Sequence, residues 1–491
     1  MTWLPAPGYW LARLVVQRGL AAVYLVAFLA AANQFRPLLG EHGLLPAGDF
    51  LARRRFWQSP SLFQIRYSDR LLSAVAFGGA GVAVLCLAGV AERGPAWCSM
   101  LAWLALWALY LSIVNIGQRF YSFGWETLLL EAGFLAVFLG PRTIAPPVVT
   151  IVALRWLLFR LEFGAGLIKL RGDRCWRDLT CLFYHYETQP LPNPLSWYFH
   201  HLPSRIHRIE VAGNHVAQLV APMLLIAPQP VATVGGVLIV VTQGWLLLSG
   251  NFSWLNVLTV VLAASSFSDR YLRLVVPVAA PAHLSAGPGW WQGLVLALGL
   301  LVVVLSYYPV RNMASRRQLM NSSFDPFHLV NTYGAFGRIT RQRHEVVLEG
   351  TDEPSPGEAT MWREYPFKAK PGDPGRRSRQ VAPYHLRLDW LMWFVPLSGG
   401  ADLPWLRTLV GKLLAGDRAT LRLLGPNPFP DSPPVWIRAR LYHYRFTTPA
   451  ERRATGAWWV RSELSEILRV RGTGSGGPGS GGGPGGGGES T

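Results

Sequence analysis

The sequence predicts an α-helical polytopic membrane bundle of eight or nine spans, followed by a mixed, β-rich soluble C-terminal domain. Three observations support this fold class. Hydrophobic residues make up 51% of the chain and charged residues only 15%, whereas a globular domain usually has about 25% charged residues. Long apolar runs recur before Arg311 without the two-residue alternation of a membrane strand. After Arg311, charged residues become frequent and the apolar runs shorten.

The apolar runs approach the length of about 20 residues that a helix needs to cross a bilayer. Several are short or interrupted, which leaves the number of spans at eight or nine. The first run resembles a signal peptide because Arg13 and Arg18 lie in it, but it is long enough to be an uncleaved span. The runs are Trp10–Ala32, Leu71–Ala91, Ala96–Ile116, Trp125–Leu139, Ile144–Ile168, Ile209–Ile226, Val231–Leu248, Leu255–Phe267 and Trp290–Tyr308.

Changes in composition divide the chain into three parts. Residues 1–310 are expected to form the helical transmembrane domain, with interfacial loops at 35–70 and 171–208. Residues 311–471 are expected to form a soluble α+β or β-sandwich-like domain, and residues 472–491 a disordered Gly/Ser/Pro tail. In the soluble domain the pattern predicts strands and one amphipathic helix. The strands are His344–Gly350, Trp362–Lys370 and Val435–Phe446, and the helix is Pro404–Leu424.

The charge and the cysteines limit the classes of partner. The net charge of +18 comes almost wholly from arginine, which reflects either a GC-rich genome or attraction to anionic membrane lipids. No nucleic-acid-binding motif is present, so no nucleic acid is expected. Cys175 and Cys181 share one polar loop and would form a disulfide in an oxidising compartment. No metal or cofactor is expected, because no set of three ligands has a recognisable spacing.

Ionisable residues inside the apolar runs need partners or functions, because each costs at least about 2.5–3.5 kcal/mol at the bilayer centre. Arg155, Glu162 and Lys169 recur every seven residues, which is about 10.5 Å along one helix face. Their counter-charges must therefore come from other helices. Two interpretations remain open: hydrogen bonding between helices, or a ligand or catalytic cavity around Lys169. We define this polar seam as Glu126, Glu131, Arg155, Glu162, Lys169, Glu210, Asn214 and Gln218.

Five segments in the same order resemble the lipase maturation factor family, and the likeness covers nearly all of the chain except the Gly-rich tail. Several long ordered motifs are far more specific than one short pattern. The segments are CWRDLTCLFYHYETQPLPNPLSWYFHHLP (Cys175–Pro203), VNTYGAFGRITRQRHEVVLEGT (Val330–Thr351), WREYPFKAKPGDPGRR (Trp362–Arg377), VAPYHLRLDWLMWF (Val381–Phe394) and NPFPDSPPVWIRARLYHYRFT (Asn427–Thr447).

This resemblance implies a membrane-embedded factor that assists the folding or maturation of exported lipases or other secreted proteins. Animal members of the family lie in the endoplasmic reticulum, and a bacterial member would lie in the inner membrane. The family places the C-terminal domain on the lumenal side, whereas the basic loops favour a cytoplasmic one; we follow the family. Its partners would be membrane lipids and a client protein. Candidate client-handling residues are Tyr333, Trp390, Trp393 and Phe394, although a buried helix would explain the tryptophans equally well.

A shorter segment supports an alternative function. FGAGLIKLRGDRCW (Phe163–Trp176) is similar to the part of vitamin K-dependent gamma-carboxylases that contains their active-site lysine. This resemblance implies a membrane enzyme in which Lys169 is the base and His215 or Glu131 tunes it. A maturation role needs neither a nucleophile nor a cofactor, so we favour a protein that is not an enzyme.

Overall fold

The computed structural model describes residues 2–398 and 403–472 of the chain. Up to Ala314 the fold is helical, because in an apolar surrounding a helix satisfies its own backbone hydrogen bonds. The helices are α1 (Trp10–Leu39), α2 (Ala47–Ala52), α3 (Asp69–Leu87), α4 (Ala96–Ile116), α5 (Gly124–Ala136), α6 (Val148–Arg171), α7 (Arg174–Arg177), α8 (Leu182–Thr188), α9 (Ser196–His200), α10 (Ser204–His215), α11 (Ala221–Leu224), α12 (Val231–Ser249), α13 (Leu255–Ala263), α14 (Asp269–Leu272), α15 (Gly289–Leu305) and α16 (Tyr307–Ala314).

Within the described residues, five helical segments are long and apolar enough to cross a membrane. The larger number of eight or nine predicted spans is not confirmed. The other predicted runs are also helical, but they are shorter or carry more charge, as α6 does with Arg155, Arg160, Glu162 and Lys169. The five segments are Pro7–Leu39, Asp69–Leu87, Ala96–Ile116, Val231–Ser249 and Gly289–Ala314.

Helix α1 lies at the centre of the bundle and packs against α3, α5 and α13. Its buried side chains face several directions, as expected for a helix enclosed by others. Gly79 of α3 allows α1 and α3 to approach closely, because a Cβ there would clash with the ring of Phe28. Phe28 in turn meets Tyr110 of α4 edge-to-face, with ring centroids 5.4 Å apart. The centre of the bundle is therefore a packed core rather than a channel.

The C-terminal region contains one antiparallel sheet of four strands in the order β2-β1-β3-β4. Strands β1 and β3 pair from Arg343 with Tyr444 to Thr351 with Trp436. Shifts in register interrupt the pairing of β3 with β4 after Ala439 and after Leu441. The bounds are β1 (Arg343–Thr351), β2 (Arg363–Glu364), β3 (Trp436–Phe446), β4 (Trp459–Arg471), α17 (Arg387–Met392), α18 (Pro404–Leu414), α19 (Arg418–Leu421) and α20 (Pro449–Thr455).

Several details of the predicted C-terminal domain differ from the structure. The predicted strand Trp362–Lys370 pairs only at Arg363 and Glu364, because the chain then leaves the sheet before Pro366. The predicted helix Pro404–Leu424 is split at Gly416, whose φ of +64° is left-handed. Strand β4 was not predicted, and the described residues contain one sheet rather than a sandwich. Of the predicted tail, only Gly472 lies within the described residues.

The C-terminal region contacts the bundle directly through polar side chains of the helices. Gln34 of α1 donates to the carbonyl of His385 at 2.7 Å and accepts from the backbone N–H of Arg387 at 2.9 Å. Asn251, after α12, accepts from the backbone N–H groups of Val381 and Ala382 at 2.8 and 2.9 Å. These contacts fix the segment before α17 against the bundle, and the cavity described next lies at this junction.

Candidate functional site

A cavity of about 620 Å³ lies between the helical bundle and the C-terminal region. Its walls come from α5, α6, α10, α12 and α13, and from the segments 318–321, 333–338 and 393–394. The volume is typical of sites that bind small molecules. Most of the lining is apolar, and its aromatic residues include Phe123, Trp125, Trp176, Phe252, Phe336 and Trp393.

Two opposite charges of α6 line this cavity. Lys169 is 5% exposed and Glu162 is 2% exposed. The Nζ of Lys169 donates to Oε1 of Gln218 at 2.7 Å and lies 5.0 Å from the ring centroid of Trp176. Oε1 of Glu162 accepts from Nε2 of Gln243 at 2.7 Å. Within the described part of the chain, each charge is thus hydrogen-bonded to a neutral amide and neither belongs to an ion pair.

The polar wall continues beyond these two charges. Gln243 of α12 accepts at its Oε1 from Nδ2 of Asn256 at 2.8 Å, and Asn214 of α10 donates to Gln218 at 3.3 Å. Oδ1 of Asn256 is buried and accepts no hydrogen bond from any of the residues that the structure describes. Buried polar atoms are nearly always hydrogen-bonded. An unsatisfied oxygen in the wall of a cavity therefore indicates a position where a ligand or water can donate.

The carboxylate of Glu131, by contrast, is enclosed by partners. Glu131 of α5 forms an ion pair with Arg160 of α6, and both side chains are 1% exposed. Its Oε2 accepts from the backbone and side-chain N–H groups of Asn331, each at 3.0 Å, and from the hydroxyl of Tyr333 at 2.8 Å. Arg160 also donates to the carbonyl of Asn331 at 2.6 Å. This cluster fixes the segment after α16 deep in the bundle.

The carboxylate of Glu126 makes a second enclosed cluster with the C-terminal region. Its Oε1 accepts from Arg387 of α17 at 2.6 Å, and its Oε2 accepts from the hydroxyl of Tyr110. The guanidinium of Arg387 also stacks on Tyr121, 3.4 Å from the ring centroid. Burial lowers the pKa of the neighbouring His385 to about 4, so this imidazole is neutral at pH 7. Arg387 is therefore the ionic partner of Glu126.

The rest of the polar seam lies in separate contacts. Arg155 donates to the carbonyl of Ser265 and to the hydroxyl of Tyr9, both at 2.9 Å. Glu210 accepts from Trp245 at 3.0 Å and lies 3.0 Å from the Nδ1 of His207. The structure thus divides the eight predicted residues among several sites, with Glu162, Lys169, Glu210, Asn214 and Gln218 lining the cavity.

The structure does not bring together the residues of the alternative catalytic site. Glu131 is bound to Arg160, and the Nε2 of His215 lies 3.0 Å from the carbonyl oxygen of Trp176. Neither Glu131 nor His215 lines the cavity that Lys169 faces. Lys169 lines this cavity and forms an ion pair with neither Glu131 nor Glu162. The two residues expected to tune it, His215 and Glu131, form no hydrogen bond with it.

The four candidate client-handling residues differ in exposure. Tyr333 and Trp390 are 2% and 3% exposed, so neither offers a surface to a client, and for Trp390 the buried-helix alternative is the one that fits. Tyr333 is held by Glu131, and Trp390 packs edge-to-face on Trp125 with ring centroids 4.9 Å apart. Trp393 is half-buried and donates to the carbonyl of Thr188 at 3.0 Å. Only Phe394, 38% exposed, offers an accessible apolar side chain.

The loop after α6 is closed by a disulfide between Cys175 and Cys181. Asp173 precedes the first cysteine, accepts from its backbone N–H at 3.0 Å and pairs with Arg341 at 2.8 Å. Trp176, between the cysteines, donates to the carbonyl of Phe336 at 2.8 Å. These contacts place the disulfide loop against the C-terminal region and position the ring that Lys169 faces.

The sequence did not point to three residues of these sites: Arg160, Gln243 and Asn256. It also did not indicate that Arg387 forms an ion pair. Arg160 lies outside the seven-residue spacing of Arg155, Glu162 and Lys169, which directed attention to one face of the helix. The signal that was available is simple: Arg160 is a further charge in the same apolar run. For Arg387, the partner lies 261 positions away, so no local pattern indicates the contact.

The apolar helices, the four-stranded sheet and the buried contacts between them define an integral membrane protein whose C-terminal region is anchored on its helices. Comparison with known proteins identifies its family. The model of the lipase maturation factor transmembrane domain matches residues 11–274, and that of the lipase maturation factor C-terminal domain matches residues 329–469. The chain belongs to the lipase maturation factor family.

Individual relatives agree with this assignment. Lipase maturation factor 1 of Bos taurus is 43% identical, over 94% of this chain and 89% of the relative. The human lipase maturation factor 1 is 42% identical, over 93% and 87% of the two chains. Lipase maturation factor 2 of Gallus gallus is 30% identical, over 92% and 80%. No solved structure matches the chain. These comparisons give the carboxylase-like alternative no support.

Proposed function

We propose that this membrane protein assists the maturation of exported lipases. The family relationship carries the proposal, because it extends over both the bundle and the sheet domain, and the relatives are named lipase maturation factors. Other secreted or membrane proteins are the alternative clients. Assistance of this kind requires an apolar surface that meets an incompletely folded chain, and it requires no covalent step.

A small exposed patch supports a client-binding role for the C-terminal region. Phe394 and Leu397 are 38% and 48% exposed and follow directly after α17. Helix α17 is held against the bundle through Arg387 and Glu126 at 2.6 Å. We infer that a client meets this patch at a fixed position relative to the membrane.

The disulfide supports the proposed orientation and location. Disulfides persist in oxidising compartments, and the loop from Cys175 to Cys181 packs on the C-terminal region through Asp173 and Arg341. We propose that this side faces the lumen of the endoplasmic reticulum in a eukaryote, or the periplasm from the inner membrane in a bacterium. We further propose that the shorter helices α5, α6, α10–α11 and α13 also lie in the bilayer, which gives eight or nine spans.

Deletion in the native organism tests the function. The specific activity of each secreted lipase, its activity divided by the amount of lipase protein, is measured in the medium of wild-type and deletion cells. We expect at least one lipase to lose most of its specific activity and to regain it when the full chain is restored. Normal specific activity of every secreted lipase in the deletion cells contradicts the proposal.

A matched pair of variants then tests the surface patch in the restored cells. The double variant F394S/L397S removes the exposed apolar groups beside α17, and we expect it to lower the specific activity of the client. The control M361S removes Met361, an apolar side chain that is 78% exposed elsewhere in the domain, and should restore activity fully. Equal restoration by both variants, at equal protein levels, rules out this patch as the client surface.

A further inference from the structure

The cavity is lined by a cation and an anion that form no ion pair within residues 2–398 and 403–472. Lys169 and Glu162 are both more than nine-tenths buried, yet their hydrogen-bond partners Gln218 and Gln243 are neutral amides. Buried charges are normally paired with opposite charges, because burial removes their hydration. Since both side chains line the same cavity, a ligand with one negative and one positive group would compensate both at once.

The placement of the two residues limits how far apart these groups can be. Positions seven residues apart lie on one face of α6, nearly two turns from each other. The amide of Gln218 accepts from Lys169 at 2.7 Å and also lies beside Glu162, so one side chain bridges the two charged groups. A ligand that meets both must carry its opposite charges close together, as a phosphate joined to an ammonium by a short linker does.

The surroundings of the two charges suit the rest of an amphiphile. The cavity is lined mostly by apolar and aromatic side chains, and its volume of about 620 Å³ holds a headgroup but not a whole lipid. Trp245 lines the cavity from α12, a candidate membrane span, and is 42% exposed. The cavity therefore reaches the lipid-facing side of the bundle, where acyl chains can extend into the bilayer.

We propose that this cavity binds the headgroup of a zwitterionic phospholipid taken from the bilayer, with its phosphate at Lys169 and its ammonium at Glu162. An anionic lipid has no cation to place beside Glu162. Diacylglycerol has no charged group for either Glu162 or Lys169. The unsatisfied Oδ1 of Asn256 accepts a hydrogen bond beside the ammonium. The inference does not depend on the proposed function, since it concerns the ligand of the cavity and not the client.

Lipid retention by the purified full-length protein tests the proposal. The protein is delipidated in detergent and incubated with phosphatidylethanolamine, phosphatidylcholine, phosphatidylglycerol or diacylglycerol with identical acyl chains. Native mass spectrometry then counts the retained molecules. We expect one phosphatidylethanolamine per protein, bound at least tenfold more tightly than phosphatidylglycerol or diacylglycerol. Phosphatidylcholine should bind more weakly than phosphatidylethanolamine, because its quaternary ammonium has no N–H to donate. Equal retention of phosphatidylglycerol or diacylglycerol, or no retention at all, overturns the proposal without any variant.

Variants with matched controls locate the site. K169M and E162Q should each weaken binding of the zwitterionic lipid at least tenfold, whereas K169R, which keeps the cation, should bind within a few-fold of wild type. K412M and E463Q make the same changes in the C-terminal domain, away from the cavity, and should leave binding unchanged. Unchanged binding by both K169M and E162Q, or equal losses in the controls, overturns the assignment to this cavity.

Discussion

The buried carboxylates of the membrane half are in two different situations. Glu126 and Glu131 are each in an ion pair with a buried arginine and accept a tyrosine hydroxyl as well. Glu162, at a similar burial, accepts from an amide and lines a cavity. Removing one partner of a closed pair leaves a buried charge without its counter-ion, whereas removing a charge that has no ion-pair partner leaves no such charge behind. The comparison therefore separates structural charges from charges available to a ligand.

The two closed clusters also join different parts of the chain. Glu131 holds Asn331 and Tyr333, which lie between the last helix of the bundle and the sheet. Glu126 holds Arg387 of α17. Since both carboxylates lie on α5, this helix connects the bundle to the C-terminal region twice. The two ion pairs give this connection a defined geometry.

The largest expected effect is the loss of the arginine that pairs with Glu126. R387M should lower the free energy of unfolding by about 3–5 kcal/mol, because it leaves the carboxylate buried without a cation. The measurement is the thermal unfolding midpoint of the full chain in detergent. The control R440M breaks the exposed pair of Arg440 with Glu463 and should cost about 1 kcal/mol or less. Equal shifts in the two variants would contradict a structural role for the buried pair.

A smaller loss is expected from Glu131, because glutamine keeps the shape of the side chain and one acceptor. E131Q should cost about 2–3 kcal/mol, since Arg160 is then buried beside a neutral group. Y333F removes only one hydrogen bond to the carboxylate and should cost about 1.5 kcal/mol. Both are measured as shifts of the unfolding midpoint. A larger loss for Y333F than for E131Q would show that the ion pair is not the main contact.

The exposed pair of Arg445 with Glu451 should give a small and pH-dependent effect. The hydrogen bond from Arg445 lowers the pKa of Glu451 to about 2, from an ordinary value of 4.5. Since the folded pKa is depressed, the stabilisation is complete above pH 4.5 and is lost as the pH falls toward 2. The difference in unfolding midpoint between wild type and E451Q should therefore be constant from pH 8 to 5 and shrink in more acidic buffer. A difference that grows in acid would contradict the assignment.

The sequence predicts the helices well, because their apolar runs are long and continuous. The run Ala96–Ile116, for example, coincides with α4. Strand β4 was harder to predict from the sequence. Its middle, Ser462–Ile467, is largely exposed, so it lacks the alternation of buried and exposed residues that marks a strand. Its register shifts against β3 weaken the alternation further. Tertiary pairing with β3, rather than the local pattern, determines this strand.

The candidate site was predicted only in part. The spacing of Glu162 and Lys169 on one face of α6 was available from the sequence, and both residues line the cavity. Their partners Gln218 and Gln243 come from the segment after α10 and from α12, so only helix packing brings them together. The ion pair of Glu131 with Arg160 likewise depends on how α5 and α6 pack against each other. A sequence contains the charges of a membrane bundle, but the rotation of each helix decides which charges meet.

The effect of lipid on the stability of K169M tests the distinction between the two kinds of buried charge most directly. Unfolding midpoints of wild type and K169M are measured in detergent with and without added phosphatidylethanolamine. Without lipid, K169M should unfold at the wild-type temperature or above, because methionine replaces an unpaired buried charge at similar volume. With lipid, the wild-type midpoint should rise and that of K169M should not. A loss in K169M as large as that in R387M, without lipid, would contradict the account and make Lys169 a structural charge.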